Sequence, residues 1–284
     1  MKILVTGASG FVGRHVIRRL LGTEHTIVAT ALEERVNVSD SVDADKLVYV
    51  PCDLNRENVD YHNLFGRPDA IIHLSWEGLP RYGELFHIER NLPSNYRFLK
   101  SLVEAGLKDV TVIGTCLEYG LQNGRLSEDM CPQPSTPYAV AKDSLRRFLE
   151  ELRKKSDFAF RWIRIFYTYG EGQNKNAILE QLKIAVGRGD KVFDMSRGNQ
   201  LRDYLAIEKV AEHIVRIALQ RKVLGVINCC SGKPVSIREL VESQLKAMNA
   251  QISLHLGVYD YPSYEPMAFW GDTSKLQSII NDEH

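Results

Sequence analysis

The chain has 284 residues, enough for one large domain or two intimately associated ones with a sizeable buried core. Its 36 basic side chains balance 36 acidic ones, so no net positive field exists to recruit nucleic acid or a membrane surface. With 44% hydrophobic residues, and no apolar stretch near the ~18 residues of a membrane span, the sequence reads as an ordinary soluble globular protein.

Met1-Lys2 runs straight into a first apolar run, 2–6, leaving no room for a signal peptide, so a cytoplasmic location is expected. That run is followed at once by Thr6-Gly7-Ala8-Ser9-Gly10-Phe11-Val12-Gly13. Gly7, Gly10 and Gly13 lack a Cβ, which permits a tight strand-to-helix turn, close approach of a pyrophosphate, and close packing of helix on strand. Amide groups at the start of the next helix, beside Phe11 and Val12, then face the phosphates. The spacing departs from Gly-x-Gly-x-x-Gly, and its place after the first strand is what favours a dinucleotide. Val12, Val16 and Leu20 form one stripe of this helix, the side expected to pack on a sheet.

A second run, 26–31, ends in Val28-Ala29-Thr30-Ala31-Leu32-Glu33-Glu34-Arg35, with no carboxylate at Ala31. A third, 46–51, leads into Cys52-Asp53-Leu54, where Asp53 by itself could cap a helix. The fourth, 69–74, carries His73, read as a satisfied core histidine. Helical periodicity follows at 89–105 (Leu92, Tyr96, Leu99, Leu102, Val103), then a strand-like run at 109–114 ending at Thr115. The next helical pattern, 138–154 (Ala141, Leu145, Phe148, Leu149, Leu152), opens with Tyr138 and Lys142. At i and i+4 a phenol and an ammonium project from one helix face, and a neighbouring cation favours phenolate, a usable acid/base near neutrality.

With a further run at 161–167, strands and helices alternate, which predicts an α/β fold built on a parallel sheet with helices on both faces. After Gly170 the alternation gives way to Gly- and Asn-bearing loops, a helix near 176–188, and short elements around 225–230 and 253–258. This composition suits a smaller lobe closing over the carboxyl ends of the strands. The five cysteines, Cys52, Cys116, Cys131, Cys229 and Cys230, show neither Cys-x-x-Cys nor metal-ligand spacing with the eight histidines, so neither disulfide nor metal is expected.

The glycine motif, then Thr115 four residues before Tyr119-Gly120, then Tyr138-x-x-x-Lys142 form an ordered set. Arg164-Ile165-Phe166-Tyr167-Thr168-Tyr169-Gly170, Arg202-Asp203-Tyr204 and Asp272-Thr273-Ser274-Lys275 extend it over nearly the whole chain. In this set the chain resembles the extended short-chain dehydrogenase/reductases, in their nucleotide-sugar epimerase, dehydratase and reductase branch. The resemblance implies a Rossmann-like doubly wound parallel sheet with a smaller C-terminal substrate-binding lobe. The division falls near 169/170, into residues 1–169 and 170–284, with the chain crossing between lobes more than once. A cofactor site is implied at Gly7, Gly10, Phe11, Val12 and Gly13, with Asp53 and Leu54 toward the adenine. Leu74, Ser75 and Trp76 would line the ribose and nicotinamide end.

For the chemistry, the resemblance implies that Tyr138 transfers a proton at a sugar hydroxyl or ketone while hydride passes between the same carbon and the nicotinamide. Lys142 would bind the nicotinamide ribose and tune the phenol, and Thr115 would hydrogen-bond the reacting oxygen. Tyr167 would contact substrate and Arg202 the diphosphate, the alternative for Arg202 being a surface salt bridge with Asp203. The helices at 89–105 and 138–154 would pair with their copies in a homodimer.

Departures from the family narrow the reaction. Sugar 4,6-dehydratases follow the threonine with Asp-Glu, whereas Cys116-Leu117 stands here, which removes dehydration. Reduction of a nucleotide-linked 4-keto-6-deoxyhexose is the leading expectation, supported by Glu265-Pro266-Met267, with 4-epimerisation on a recycled NAD as the alternative. A catalytically silent NAD(P) sensor is the reading from another class. Pro262 stands where relatives carry a second diphosphate arginine. NAD-preferring relatives end the second strand with an acid. Its absence at Ala31, with Arg35 available to a 2′-phosphate, leans the cofactor to NADP(H) over NAD(H).

Overall fold

The structure, a computed structural model, describes residues 1–34 and 46–281. It opens with β1 (Lys2–Thr6), α1 (Phe11–Leu21), β2 (Thr26–Thr30), β3 (Leu47–Tyr49), α2 (Tyr61–Leu64) and β4 (Ala70–His73). A π-helical turn, His87–Asn91, leads into α3 (Leu92–Glu104), followed by β5 (Asp109–Thr115), a 3-10 turn (Cys116–Tyr119) and β6 (Gly124–Leu126). Then come α4 (Pro137–Arg153), β7 (Ala159–Ile165), β8 (Tyr167–Tyr169), α5 (Ile178–Arg188), β9 (Val192–Met195) and β10 (Leu201–Ala206). The last elements are α6 (Ile207–Leu219), β11 (Gly225–Cys229), β12 (Pro234–Ser236), α7 (Ile237–Ala247), β13 (Ser253–Leu256), β14 (Phe269–Gly271) and α8 (Ser274–Ile280).

Seven strands form one parallel sheet in the order β11-β7-β5-β4-β1-β2-β3. All six apolar runs read from the sequence lie in it. The chain winds outward one way from β1 and the other way from β4, so a crevice opens between the carboxyl ends of these two strands.

Successive residues of β1 serve opposite helix layers, as the two-residue repeat of a strand requires. Ile3 and Val5 pack with Val16, Ile17 and Leu20 of α1, while Leu4 packs with Phe98, Leu99 and Leu102 of α3 and Leu145 and Leu149 of α4. At ~2 kcal/mol for each large apolar chain buried, those α3 and α4 residues alone rival the ~5–15 kcal/mol net stability of a typical domain.

Segments after residue 170 also build the main sheet. β11 is the edge partner of β7, and α6 lays Val210, Ala211, Ile214 and Val215 on the same core as α1, joined by Leu276 and Ile279 of α8. These late segments therefore complete the main sheet. The smaller lobe consists of the β8-β10-β12 sheet, the β9-β13 pair, α5 and α7, around Leu179, Leu182, Phe193, Met195, Leu240 and Val241.

Among the described residues no helix is long and apolar enough to cross a membrane, and no cluster of side chains suits a metal ion. The cysteines are free, Cys131 exposed and the other four buried.

Candidate active site

The crevice is built from backbone that only glycine fits. Gly7 has φ +67°, and a Cβ there would lie 2.9 Å from the amide nitrogen of Ser75 on the facing loop. A Cβ on Gly13 would meet the Gly7 carbonyl oxygen at 2.1 Å. Gly10 caps α1 with no side-chain hydrogen bond, which leaves the first amides of the helix open to an anion.

The facing loop is held by Thr6, which sequence reasoning passed over. Its Oγ1 accepts from the amides of Leu74 (3.1 Å) and Ser75 (3.2 Å) and bonds His73 Nδ1 at 2.9 Å. His73 Nε2 faces Asn95 Oδ1 at 2.7 Å, and burial, helped by the Lys142 charge, pushes its pKa down to about 3. A neutral imidazole donating to Asn95 and accepting from Thr6 satisfies every partner. His73 is thus a clamp inside the fold.

A cleft of about 680 Å³ runs from these glycines past the end of β5 to α5. Gly7, Gly10, Phe11, Val12, Gly13, Leu74, Trp76, Thr115, Tyr138 and Tyr167 all line it. Ser75 and Leu54 line a narrow recess continuing from it, together with Thr30, Ala31, Cys52 and Asn55. Asp53 lines neither cavity. Its Oδ1 accepts from the amide (2.9 Å) and side chain (2.8 Å) of Asn55, a local turn rather than a helix cap. The cap of α2 is Asp60.

At the end of β2, Ala31 stands without an acid, as expected, but exposed Glu33 and Glu34 follow it, and both add negative field at Tyr49. Such a field disfavours a 2′-phosphate. Arg35, the residue on which the lean to NADP(H) rested, lies outside the described residues.

The chemical corner lies where β5 meets α4. Thr136 caps α4 by accepting from the Ala139 amide at 3.2 Å, and Pro137 follows at the first helical position. Tyr138 then points into a box of aromatic rings, with centroids of His87, Tyr82 and Trp76 at 5.3, 5.4 and 6.0 Å. Burial first, then the neighbouring Tyr82 and Glu118, raise the phenol's pKa, while a side-chain hydrogen bond with Thr115 opposes them.

Lys142 does not pair with the phenol as the sequence suggested. Its ammonium donates to the Ile113 carbonyl at 2.8 Å and sits 4.1 Å from the centre of the Trp76 ring, and it is not among the influences on Tyr138. The i, i+4 spacing sets both residues on one helix face, but the long lysine stem reaches across to β5. Burial lowers its pKa to about 7, with Glu118 opposing.

Arg202 does not form the surface salt bridge with Asp203. It is 0% exposed and pairs with Glu265, Nη2 to Oε2 at 2.8 Å, while its guanidinium lies 4.7 Å from the centre of the Phe269 ring. Neighbours on β10 face opposite ways, so Asp203 bonds instead to the amides of Ser231, Gly232 and Gly271. Tyr167 hydrogen-bonds Glu265 through its hydroxyl. Burial raises the Cys116 thiol, which therefore has no thiolate character.

The lining includes residues that sequence reasoning missed: Tyr82, and the Gln173, Asn174 and Asn176 amides between β8 and α5. The run of Asn and Gln after Tyr169-Gly170 was the available signal. Two buried oxygens among the lining residues, Thr30 Oγ1 in the recess and Gln173 Oε1 in the cleft, have no partner among the described residues. With the glycine cradle, they fit a polar, extended ligand of dinucleotide size.

The model of the NAD dependent epimerase/dehydratase family matches residues 3–230. The dTDP-6-deoxy-L-talose 4-dehydrogenase (NAD(+)) of Aggregatibacter actinomycetemcomitans is 29% identical over 273 residues, covering 95% of this chain and 99% of that protein. The GDP-6-deoxy-D-talose 4-dehydrogenase of the same organism is 24% identical, covering 100% and 92%. The structure of MoeE5 in complex with UDP-glucuronic acid and NAD is 25% identical with a TM-score of 0.83, covering 99% of this chain and 93% of that one.

Proposed function

The chain belongs to the NAD dependent epimerase/dehydratase family, and from that premise we propose that it interconverts hydroxyl and ketone at C4 of a nucleotide-linked 6-deoxyhexose, with NAD(H) as cofactor. The observation that carries this reading is the meeting of Thr115 and Tyr138 on one wall of a cleft whose other end is the glycine cradle. Two similar proteins act at C4 of 6-deoxy-taloses, which supports the position and the sugar class. Among the described residues no charged side chain lines the cleft, and Leu79, Pro80, Tyr82 and Leu117 give it an apolar wall. That suits a C6 methyl and disfavours a C6 carboxylate, which would be desolvated without a partner.

Bound NAD(H) supplies the hydride exchange. Tyr138, in the protonated form that burial favours, gives its proton to the ketone oxygen in reduction; in oxidation it acts as the phenolate and takes the proton of the C4 hydroxyl. Thr115 holds the same oxygen and offsets charge growing on it. The Lys142 side chain, fixed by Ile113 and Trp76, ties α4 to β5 beneath that corner. Gly7, Gly10 and Gly13 with the open amides of α1 hold the pyrophosphate of the cofactor. Since Arg202 is spent on Glu265, the substrate diphosphate is assigned to the N-terminus of α5, which lacks a side-chain cap and borders the cleft through Asn176, Ala177 and Ile178.

NAD(H) is preferred to NADP(H) on the family match, on the named cofactor of the talose 4-dehydrogenase, and on the Glu33-Glu34 field beside the recess. A homodimer through the outer side of α3 and α4 is also proposed. There the Tyr96 and Phe148 rings meet at 5.4 Å and Phe148 remains 44% exposed, an apolar surface that a second copy would cover. The direct test is turnover of nucleotide-linked 6-deoxyhexoses with NAD+ or NADH, with the product identified by NMR.

A further inference from the structure

Glu118 lines neither the cleft nor the recess, and it is 0% exposed. It sits on the 3-10 turn after β5 and closes a reciprocal cap with Thr115. The Thr115 amide donates to Glu118 Oε1 at 2.9 Å, and Thr115 Oγ1 accepts from the Leu117 amide at 3.2 Å. Trp162 Nε1 donates to both carboxylate oxygens, at 2.9 and 3.0 Å, and Arg164 Nε donates to Oε2 at 2.7 Å. Gly114 makes room for this group, because a Cβ there would lie 2.1 Å from the indole nitrogen and 2.5 Å from Glu118 Oε1.

An ordinary capping box needs none of this. A solvated glutamate would cap the turn, whereas burying it with an arginine carries a desolvation penalty that a well-packed apolar pair avoids. The placement therefore calls for a role beyond stability. Lys142 bonds Ile113, two residues before Thr115 on the same strand, so the carboxylate and the ammonium flank one short stretch of β5.

We propose that Glu118 is a positioning residue for the reaction: it fixes the Thr115 hydroxyl at the cleft through the Thr115 backbone and gives the corner its standing negative charge. This rests on the roles assigned above to Thr115, Tyr138 and Lys142. The titratable groups facing Tyr138 and Lys142 are His73 from the end of β4, Tyr82 and His87 from the loop and turn before α3, and Cys116 and Glu118 after β5. Glu118 is the carboxylate in this set. Its charge raises the proton affinity of Tyr138 and of Lys142 alike.

The test is Glu118→Gln, with the pH dependence of kcat/KM measured in both directions beside Tyr138→Phe. Removing the charge lowers the proton affinity of both groups, so the limb that reports them moves to lower pH, in oxidation and in reduction. Loosening of Thr115 lowers kcat/KM by up to about 100-fold. Glu118→Gln/Arg164→Gln, which leaves no unpaired buried charge, serves if the single variant does not fold. A folded variant with wild-type kcat/KM and unmoved limbs overturns the proposal, and so does failure of both variants to fold, which would assign Glu118 to the fold alone. An active Tyr138→Phe instead overturns the reading beneath it.

Discussion

Lys142 donates to the carbonyl of Ile113 at 2.8 Å, which ties α4 to β5 two residues before Thr115. Burial costs this ammonium its hydration and lowers its pKa from 10.5 to about 7. Between those values the unfolded chain binds the proton and the folded chain does not, so this group makes stability rise with pH. The difference in unfolding free energy between wild type and Lys142→Met, measured by urea denaturation, should therefore grow in favour of wild type above pH about 7. A difference independent of pH would show that the lysine keeps its proton in the fold.

Gly13→Ala places a Cβ 2.1 Å from the Gly7 carbonyl oxygen, so the start of α1 must shift from the cradle. Fluorescence titration should show NADH binding weakened by at least about tenfold, ~1.4 kcal/mol. In the wild type, NADH should bind at least about tenfold more tightly than NADPH. Tighter NADPH binding would restore the lean first drawn from Ala31 and Arg35.

The sheet was legible because its inner strands are buried on both faces and read as unbroken apolar runs. Gly7, Gly13, Thr115 and Tyr138 were legible because each sits at a junction of strand and helix, where spacing along the chain fixes position in space. Arg202 was not. Its motif carries no record of Glu265, which approaches from 63 residues away to bind it. Lys142 was half legible, since spacing gave its helix face but not the reach of its side chain. α6 carried a readable stripe in Val210, Ala211, Ile214 and Val215, which the sequence reading did not pick out among the segments after Gly170.

Arg202→Met leaves Glu265 buried without its partner. The expected loss is about 3–5 kcal/mol of stability, read from denaturant unfolding, because an uncompensated buried charge remains. A diphosphate clamp predicts the opposite pattern, a raised KM with unchanged stability, and that result would return Arg202 to the substrate.

Phe148→Lys should convert a dimer to a monomer in sedimentation equilibrium without unfolding it, since a charge replaces an apolar contact on the outer side of α4. A wild-type chain that is monomeric at micromolar concentration would remove the proposed interface.

The most direct test is NADH formation when the purified protein is given NAD+ and dTDP- or GDP-linked 6-deoxy-talose, in wild type and in Tyr138→Phe. The account predicts stoichiometric NADH and a 4-keto product from wild type, with turnover lost by about 100-fold or more in a variant that still binds NADH. Binding of NADH with no turnover of any nucleotide-linked 6-deoxyhexose would contradict it and favour a cofactor sensor, and epimerised product without net NADH would contradict it in favour of an epimerase.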